Sequence, residues 1–214
     1  MEVKKISPPV TPFLQIKLDQ EVVDYLWKII DIANTKNINF QTQLAGNISQ
    51  SLLLDDIDSF FYKSVCIPLI KYYRNINPVG DDPVPKTVKL GSKVNLILNS
   101  IWVNYQYKTE FNPYHDHSGA YSFAIWMKIP YSWEEQKNLP RFNDINDGNK
   151  KVGNFEFEYI DTLGGVRNCG YNLSQKDEGT MLFFPATLRH CVYPFYEIKE
   201  PRISVAGNLS YLPA

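Results

Sequence analysis

A succession of strand-like segments fills the second half of the chain and limits the folds that it can adopt. From residue 88 onward, stretches rich in aromatic and β-branched residues follow one another: KLGSKVNLILNSIWVNYQYK, YSFAIWMKIP, VGNFEFEYI, GTMLFFPA and RISVAGNLSYL. Short strands that are joined without intervening helices are typical of a jelly roll or double-stranded β-helix. The pattern therefore predicts a mainly β fold of the α+β kind, with such a core backed by N-terminal helices.

Two amphipathic helices are predicted before these strands. Apolar residues recur at helical spacing over 19–35, where Asp19 is the expected N-cap, and again near 57–75. Pro68 lies inside the second helix and should bend it or interrupt its hydrogen bonds. The Pro- and Gly-rich stretch NPVGDDPVP at 77–85 then separates the helices from the strands.

The length of 214 residues fits one domain with a sizeable core. We expect a single domain over 1–214, in which a helical elaboration at 1–87 backs the β core at 88–214. An insertion at 131–151 interrupts the strands. It is polar, has no clean periodicity and is too long for an ordinary hairpin loop, so it is either disordered or functional.

Charge and cysteine content exclude some classes of protein. A formal net charge of −1 argues against a general nucleic-acid-binding surface. No apolar run approaches membrane-spanning length, and the N-terminus lacks a secretory apolar block. Cys66, Cys169 and Cys191 are odd in number and widely spaced, which favours a reducing compartment without a disulfide framework. We therefore expect a cytoplasmic protein.

The only three histidines of the chain stand in strand-like segments at positions that suit one metal ion. Side chains alternate between the faces of a strand, so His115 and His117 point the same way and can both reach one ion. His190, from a distant strand, would complete one triangular face. The opposite face stays open for a co-substrate and oxygen, as a non-haem iron oxygenase requires. We predict that all three histidines are metal ligands and catalytic residues.

Arg202 and Ser204, in the segment RISVAGNLS, are the predicted anchor for a dicarboxylate. A planar guanidinium holds a carboxylate with two parallel hydrogen bonds, and the hydroxyl two residues on shares its strand face. Asn104 and Tyr105, in the strand SIWVNYQY, and Asn208, on the face of Arg202, are further candidates for contacts to the co-substrate. Each of these three is equally compatible with a plain cross-strand or solvent-facing role.

These stretches resemble the 2-oxoglutarate- and Fe(II)-dependent dioxygenases, specifically their prolyl-hydroxylase-like branch and its phage and marine-bacterial relatives. The resemblance covers most of 43–208. It is carried by QLAGNISQSLLL at 43–54, by FNPYHDHSGAYSFAIWMKIP at 111–130, and by GTMLFFPATLRHCVYPFYEIKEPRISVAGN at 179–208, which ends in the arginine motif. It implies a double-stranded β-helix, Fe(II) as the metal, and 2-oxoglutarate as a co-substrate whose far carboxylate pairs with Arg202.

The resemblance also implies an enzyme that hydroxylates a small-molecule or peptide substrate, with no membrane partner and with a homodimer left open. The insertion at 131–151 would then be a lid or a substrate-recognition loop. A solvated surface insertion is the alternative.

One position departs from the family pattern. The usual motif is H-x-D, whereas here His117 takes the third position and the acid, Asp116, stands in the middle. If strand alternation holds through residue 117, Asp116 points away and the site has three histidines. A local bulge could instead turn Asp116 toward the ion and give two histidines and a carboxylate. The three-histidine set would make the metal centre one charge more positive than the set of two histidines and a carboxylate.

Two other functions stay open at this point. One is a three-histidine, cupin-type metalloenzyme that does not use 2-oxoglutarate. The other is a non-catalytic jelly-roll module, for binding or associated with virions. The favoured hypothesis is a 2-oxoglutarate-dependent Fe(II) dioxygenase.

Overall fold

A computed structural model describes residues 11–77, 95–146, 148 and 150–212. The part of the predicted separator beyond residue 77, and the boundary predicted at 87/88, lie outside these residues. The described helices are α1 (Gln20–Lys36), α2 (Ile67–Ile76) and α3 (Trp133–Lys137), together with four short 3-10 turns and a π-helical turn at Tyr62–Cys66. Among the described residues, no helix has the length and apolar character needed to cross a membrane.

Helix α1 forms where the apolar spacing predicts it. Its buried face consists of Val22, Leu26, Ile29, Ile30 and Ala33. Asp19 occupies the N-cap position, but its side chain makes no capping hydrogen bond. Asn37 ends the helix in the left-handed conformation, and its N–H donates to the carbonyl of Ala33.

The second predicted helix is divided into three parts. A 3-10 turn at Ile57–Ser59 and the π-helical turn at Tyr62–Cys66 precede α2, and Pro68 lies in the first turn of α2. The backbone is already helical before Pro68, because Cys66 and Ile67 have right-handed helical dihedral angles, so the missing N–H of the proline removes one hydrogen bond from a continuous helical segment. Pro68 therefore lies where the hydrogen bonding changes from π to α geometry, which is the kind of local interruption that the sequence predicts.

In the residues that the structure describes, ten antiparallel strands form the body of the fold. They are β1 (Leu14–Lys17), β2 (Gln50–Leu53), β3 (Asn95–Gln106), β4 (Asn112–His115), β5 (Tyr121–Lys128), β6 (Phe155–Ile160), β7 (Val166–Tyr171), β8 (Thr180–Pro185), β9 (Arg189–Val192) and β10 (Arg202–Leu212). One sheet has the order β1-β8-β5-β10-β3-β2, and the other has the order β4-β9-β6-β7. This is the predicted jelly-roll architecture, and the fold class is confirmed.

The N-terminal part contributes to the sheet as well as covering it. Strands β1 and β2, which belong to the predicted helical elaboration, form the two edges of the six-stranded sheet. Each has only four residues, LQIK and QSLL, which is too short for a period-2 pattern to be recognised.

Strand alternation divides the interior into two hydrophobic cores. One core lies between the helices and the outer face of the six-stranded sheet, where Leu26 and Phe61 pack with Val103, Phe123 and Val205. The second lies between the two sheets and includes aromatic residues of both, namely Trp126, Phe155, Phe157 and Phe184. The even-numbered side chains from 102 to 106 on β3 and from 202 to 208 on β10 face this inter-sheet space, which contains the site.

The insertion at 131–151 is held against the segment that precedes β10. The Gln136 side chain is buried and makes two hydrogen bonds with the backbone of Tyr196, at 3.0 and 2.8 Å. The Arg141 guanidinium lies 4.1 Å from the centre of the Tyr196 ring. None of the described residues of the insertion lines the central cavity.

Candidate metal centre

The three histidines converge at one end of the space between the sheets. His115, the last residue of β4, is the register partner of His190 on β9, and their ring centres lie 4.3 Å apart. The His117 ring lies 5.2 Å from that of His115 and 5.0 Å from that of His190. One ring nitrogen from each histidine lies within 4.8 Å of the others. The structure thus brings the three predicted ligands together.

Hydrogen bonds select the same tautomer in all three rings. His115 Nδ1 lies 2.7 Å from the carbonyl of Pro113, and His190 Nδ1 lies 3.0 Å from that of Leu188. His117 Nδ1 lies 2.6 Å from the side-chain oxygen of Asn208. Because these oxygens only accept hydrogen bonds, each Nδ1 must carry the hydrogen. Each Nε2 then has a free lone pair, which is the form of imidazole that binds a metal.

Asp116 does not belong to this cluster. It is exposed, and the cluster of ligand atoms contains only the histidines. The alternative with two histidines and Asp116 is therefore not the arrangement in the structure. His117 is not brought in by strand alternation, however, because β4 ends at His115. It lies on the following loop, where its N–H donates to the carbonyl of Ala186 at 2.8 Å.

The histidines line a cavity of about 660 Å³ between the two sheets. Arg202, Ser204, Asn104 and Asn208, the predicted contacts to the co-substrate, also line it. Tyr105, the other predicted contact, does not line it. Its neighbour Asn104 faces the cavity, so alternation places Tyr105 on the helix side, where its hydroxyl donates to Asn34 at 2.7 Å.

Arg202 is a buried cation that contacts only neutral groups. Its side chain is 2% exposed. Nη1 donates to the Tyr131 hydroxyl at 2.5 Å and to the carbonyl of Gly153 at 3.2 Å, and Nη2 donates to the side-chain oxygen of Gln106. Within the described part of the chain, no carboxylate forms an ion pair with this guanidinium. A buried charge without a counter-charge is costly, so the site is suited to an anion.

Two donors of Arg202 remain for such an anion. A guanidinium has five N–H donors, and the three contacts described above use one on Nη2 and both on Nη1. The Nε–H and one Nη2–H have no partner among the described residues. Two neighbouring donors of one guanidinium match the two oxygens of a carboxylate.

The residues that hold Arg202 were not predicted from the sequence. Gln106 could have been found, because it lies two positions after Asn104 and so shares its strand face. Tyr131 and Gly153 have no such signal. They stand at the start of the insertion and just past its end, and the Tyr131 hydroxyl also donates to the Gly153 carbonyl at 2.7 Å.

The family model described as "Putative 2OG-Fe(II) oxygenase" matches residues 100–208, just over half of the chain. This range contains the three clustered histidines and Arg202. The chain belongs to this family. It is therefore an oxidoreductase, and the family implies Fe(II) and 2-oxoglutarate as its cofactors.

Solved structures with the same fold include other oxygenases. A prolyl-4-hydroxylase from Pseudomonas putida has a TM-score of 0.52 and 11% identity, over 92% of this chain and 91% of that one. A 2OG-Fe(II) oxygenase family oxidoreductase from Burkholderia pseudomallei has a TM-score of 0.52 and 9% identity, over 92% and 84%. At such identities the likeness shows the fold alone. No curated protein matches the sequence significantly.

The residues of this 2OG-Fe(II) oxygenase fit the cofactors of its family. Three neutral imidazoles, with one nitrogen of each within 4.8 Å of the others, suit Fe(II), although they also suit zinc, copper and nickel. Burial lowers the pKa of His115 and of His117, and it lowers that of His190 well below 6.5, helped by the charges of the other two. The histidines therefore stay neutral, as ligands must, below the pH at which an exposed histidine is protonated.

These lowered pKa values predict that the metal-free protein loses stability in mild acid. In the unfolded chain His190 takes up a proton near pH 6.5, whereas in the folded chain it does not. The unfolded state thus binds more protons below pH 6.5, and the free energy of unfolding falls there by up to about 1.4 kcal/mol per pH unit from His190. Urea unfolding of wild type and His190→Gln at pH 7.5, 6.5 and 5.5 tests this. Equal slopes in the two proteins would contradict it.

Proposed function

We propose that this chain is a 2-oxoglutarate-dependent Fe(II) dioxygenase that hydroxylates its substrate, with His115, His117 and His190 as metal ligands. The observation that carries the proposal is the buried Arg202, which lines the same cavity as the histidines and retains two donors without a partner among the described residues. A metal at the histidines and a carboxylate at Arg202 would hold the two ends of one dicarboxylate. That pair of anchors is what 2-oxoglutarate needs.

Arg202 binds and orients the co-substrate in this proposal. Its Nε–H and free Nη2–H would donate to the 5-carboxylate of 2-oxoglutarate, and the Ser204 hydroxyl on the same strand face would add a third hydrogen bond. Gln106, Tyr131 and Gly153 keep the guanidinium in place, so little side-chain entropy is lost when the carboxylate binds.

Asn104 is the remaining candidate for a contact to the co-substrate. It is 8% exposed, and its side-chain oxygen accepts a hydrogen bond from Ser51 at 2.7 Å. That contact occupies the oxygen, so the Nδ2 hydrogens would be the donors to the co-substrate. Asn208 has a different role, because its oxygen is taken up by His117.

When bound, Fe(II) and 2-oxoglutarate together activate oxygen, and the family reaction converts a C–H bond into C–OH while 2-oxoglutarate becomes succinate and carbon dioxide. The chain contributes the orientation of both partners and the exclusion of water. Aromatic walls formed by Trp102, Trp126, Phe155 and Phe184 surround the histidines and Arg202. They provide the dry environment in which a reactive group reaches the substrate before it reaches water.

The fold neighbour from Pseudomonas putida is named a prolyl-4-hydroxylase, which supports a peptide or small-molecule substrate for this chain. The odd number and wide spacing of Cys66, Cys169 and Cys191 support our proposal of a reducing, cytoplasmic compartment. A homodimer stays a prediction.

A three-histidine enzyme that does not use 2-oxoglutarate is the second candidate, because the ligand set is shared with that class. Arg202 favours the 2-oxoglutarate-dependent dioxygenase, since an enzyme that binds no dicarboxylate would leave this buried cation without a counter-charge.

Anaerobic titration of the Fe(II)-loaded protein with 2-oxoglutarate distinguishes the two candidates. We expect the visible metal-to-ligand charge-transfer absorption of the chelate to grow to one equivalent. Iron binding without this band would favour the second candidate. The absence of stoichiometric iron would favour a non-catalytic module.

A further inference from the structure

The three histidines differ in what holds their rings. His115 and His190 each contact the carbonyl of the residue two positions before them, so their own strands orient them. His117 instead contacts a side chain from another part of the chain, that of Asn208 on β10. Its orientation therefore depends on a single residue that can be replaced.

The loop that carries His117 passes close over β10. Gly119 has a φ of +109°, and a β-carbon there would lie 2.7 Å from the carbonyl oxygen of Leu209. The next N–H, of Ala120, donates to that oxygen at 2.8 Å. Only glycine allows this approach and this backbone conformation. The approach places His117 beside Asn208, which directly precedes Leu209.

Asn208 is itself held in place. It is the register partner of Ser122 on β5, whose buried hydroxyl donates to the Asn208 oxygen at 2.9 Å. That oxygen has two lone pairs, of which one accepts from the Ser122 hydroxyl and the other from His117 Nδ1. The amide oxygen is thus directed at the ring, and His117 Nδ1 must carry a hydrogen.

We propose that Asn208, supported by Ser122, is the positioning residue for the third metal ligand. It selects the Nδ1–H tautomer of His117 and directs Nε2 toward the ion. This inference rests on the metal site of the proposed function. A carboxylate ligand, as in the usual H-x-D motif, has no tautomer to select. A histidine at this position requires a partner such as Asn208, and a neutral amide fixes the ring without adding a charge.

Two non-accepting variants and one accepting variant test the proposal. Asn208→Ala and Asn208→Leu remove the acceptor, and leucine keeps nearly the same shape in case alanine does not fold. Asn208→Asp keeps an acceptor at the same place. The matched control is Asn104→Ala, at another asparagine of the same cavity wall. It removes the 2.7 Å hydrogen bond between Asn104 and Ser51, a pair that contacts no histidine.

Co(II) affinity, measured by competition with a chelator, is the first measurement. We expect the non-accepting variants to lose roughly 10-fold to 100-fold in affinity. Asn208→Asp should recover most of it, and Asn104→Ala should bind as wild type does. The proposal is overturned if the non-accepting variants bind Co(II) as tightly as Asn104→Ala, or if aspartate is no better than leucine.

The second measurement reads the tautomer directly. The chain has three histidines, so a long-range ¹H–¹⁵N spectrum of the metal-free protein contains only three rings. All three should be Nδ1–H in wild type and in Asn208→Asp, and one should lose this preference in Asn208→Leu. An unchanged spectrum in Asn208→Leu would overturn the proposal. Both measurements omit 2-oxoglutarate, so they test the role of Asn208 independently of whether the chain uses 2-oxoglutarate. A wild type without Co(II) affinity would overturn the metal site itself.

Discussion

Replacing His190 by alanine is expected to remove stoichiometric Fe(II) binding while the fold stays intact. His190 supplies one of three ligands, and it is 4% exposed. Loss of a partner that only orients a ligand already costs about 10-fold to 100-fold in metal affinity, and loss of the ligand itself should exceed this. Iron content after anaerobic loading and desalting measures the effect, with circular dichroism as the check on the fold.

Cys191→Ala is the matched control for this experiment. Cys191 adjoins His190 and has a side chain that binds metals, but it lies on the opposite face of β9, opposite Glu156 on β6. Its removal should leave iron binding unchanged. His115→Ala and His117→Ala should behave like His190→Ala, whereas Asp116→Ala should keep its iron. Iron loss in Asp116→Ala with retention in His117→Ala would show that the carboxylate is the ligand after all.

Replacing Arg202 by alanine is expected to weaken 2-oxoglutarate binding strongly and to leave Fe(II) binding intact. A two-point charge-assisted contact to a buried carboxylate contributes on the order of 2 to 4 kcal/mol, which is roughly 30-fold to 1,000-fold in affinity. Lysine should recover only part of this, because an ammonium cannot reproduce the planar pair of donors. Calorimetric titration of 2-oxoglutarate into the Mn(II)-loaded protein measures the change.

The contacts of Arg202 add a second effect that must be separated from the first. Alanine also leaves the buried side-chain oxygen of Gln106 without a donor, at about 1 to 3 kcal/mol for an unsatisfied group, and removes one hydrogen bond of the Tyr131 hydroxyl, which keeps its bond to Gly153. Thermal unfolding without 2-oxoglutarate reports this loss of stability. Arg167→Ala is the control, since Arg167 is exposed and pairs with Asp161 at 2.7 Å. Unchanged 2-oxoglutarate affinity in Arg202→Ala would make the arginine a purely structural residue.

Local patterns were sufficient to predict the long elements and the composition of the site. The buried face of α1, the strands of the core, and the shared face of Arg202, Ser204 and Asn208 all follow from periods of 3.6 and 2 residues, which depend only on backbone geometry. The histidines could be recognised because the chain has no others. The same period of 2 places Tyr105 on the strand face opposite to that of Asn104.

Only the tertiary structure decided what depends on contacts between distant parts of the chain. His117 approaches His115 and His190 because a loop crosses β10 at Gly119, which no alternation pattern describes. The partners of Arg202 come from β3 and from both sides of the insertion. The oxygen of Asn208 is directed at His117 by Ser122 on a neighbouring strand. Residue types and spacing thus determined which groups are available, whereas strand register and loop path determined which of them meet, because hydrogen bonds of about 3 Å require positions that short-range periodicity does not specify.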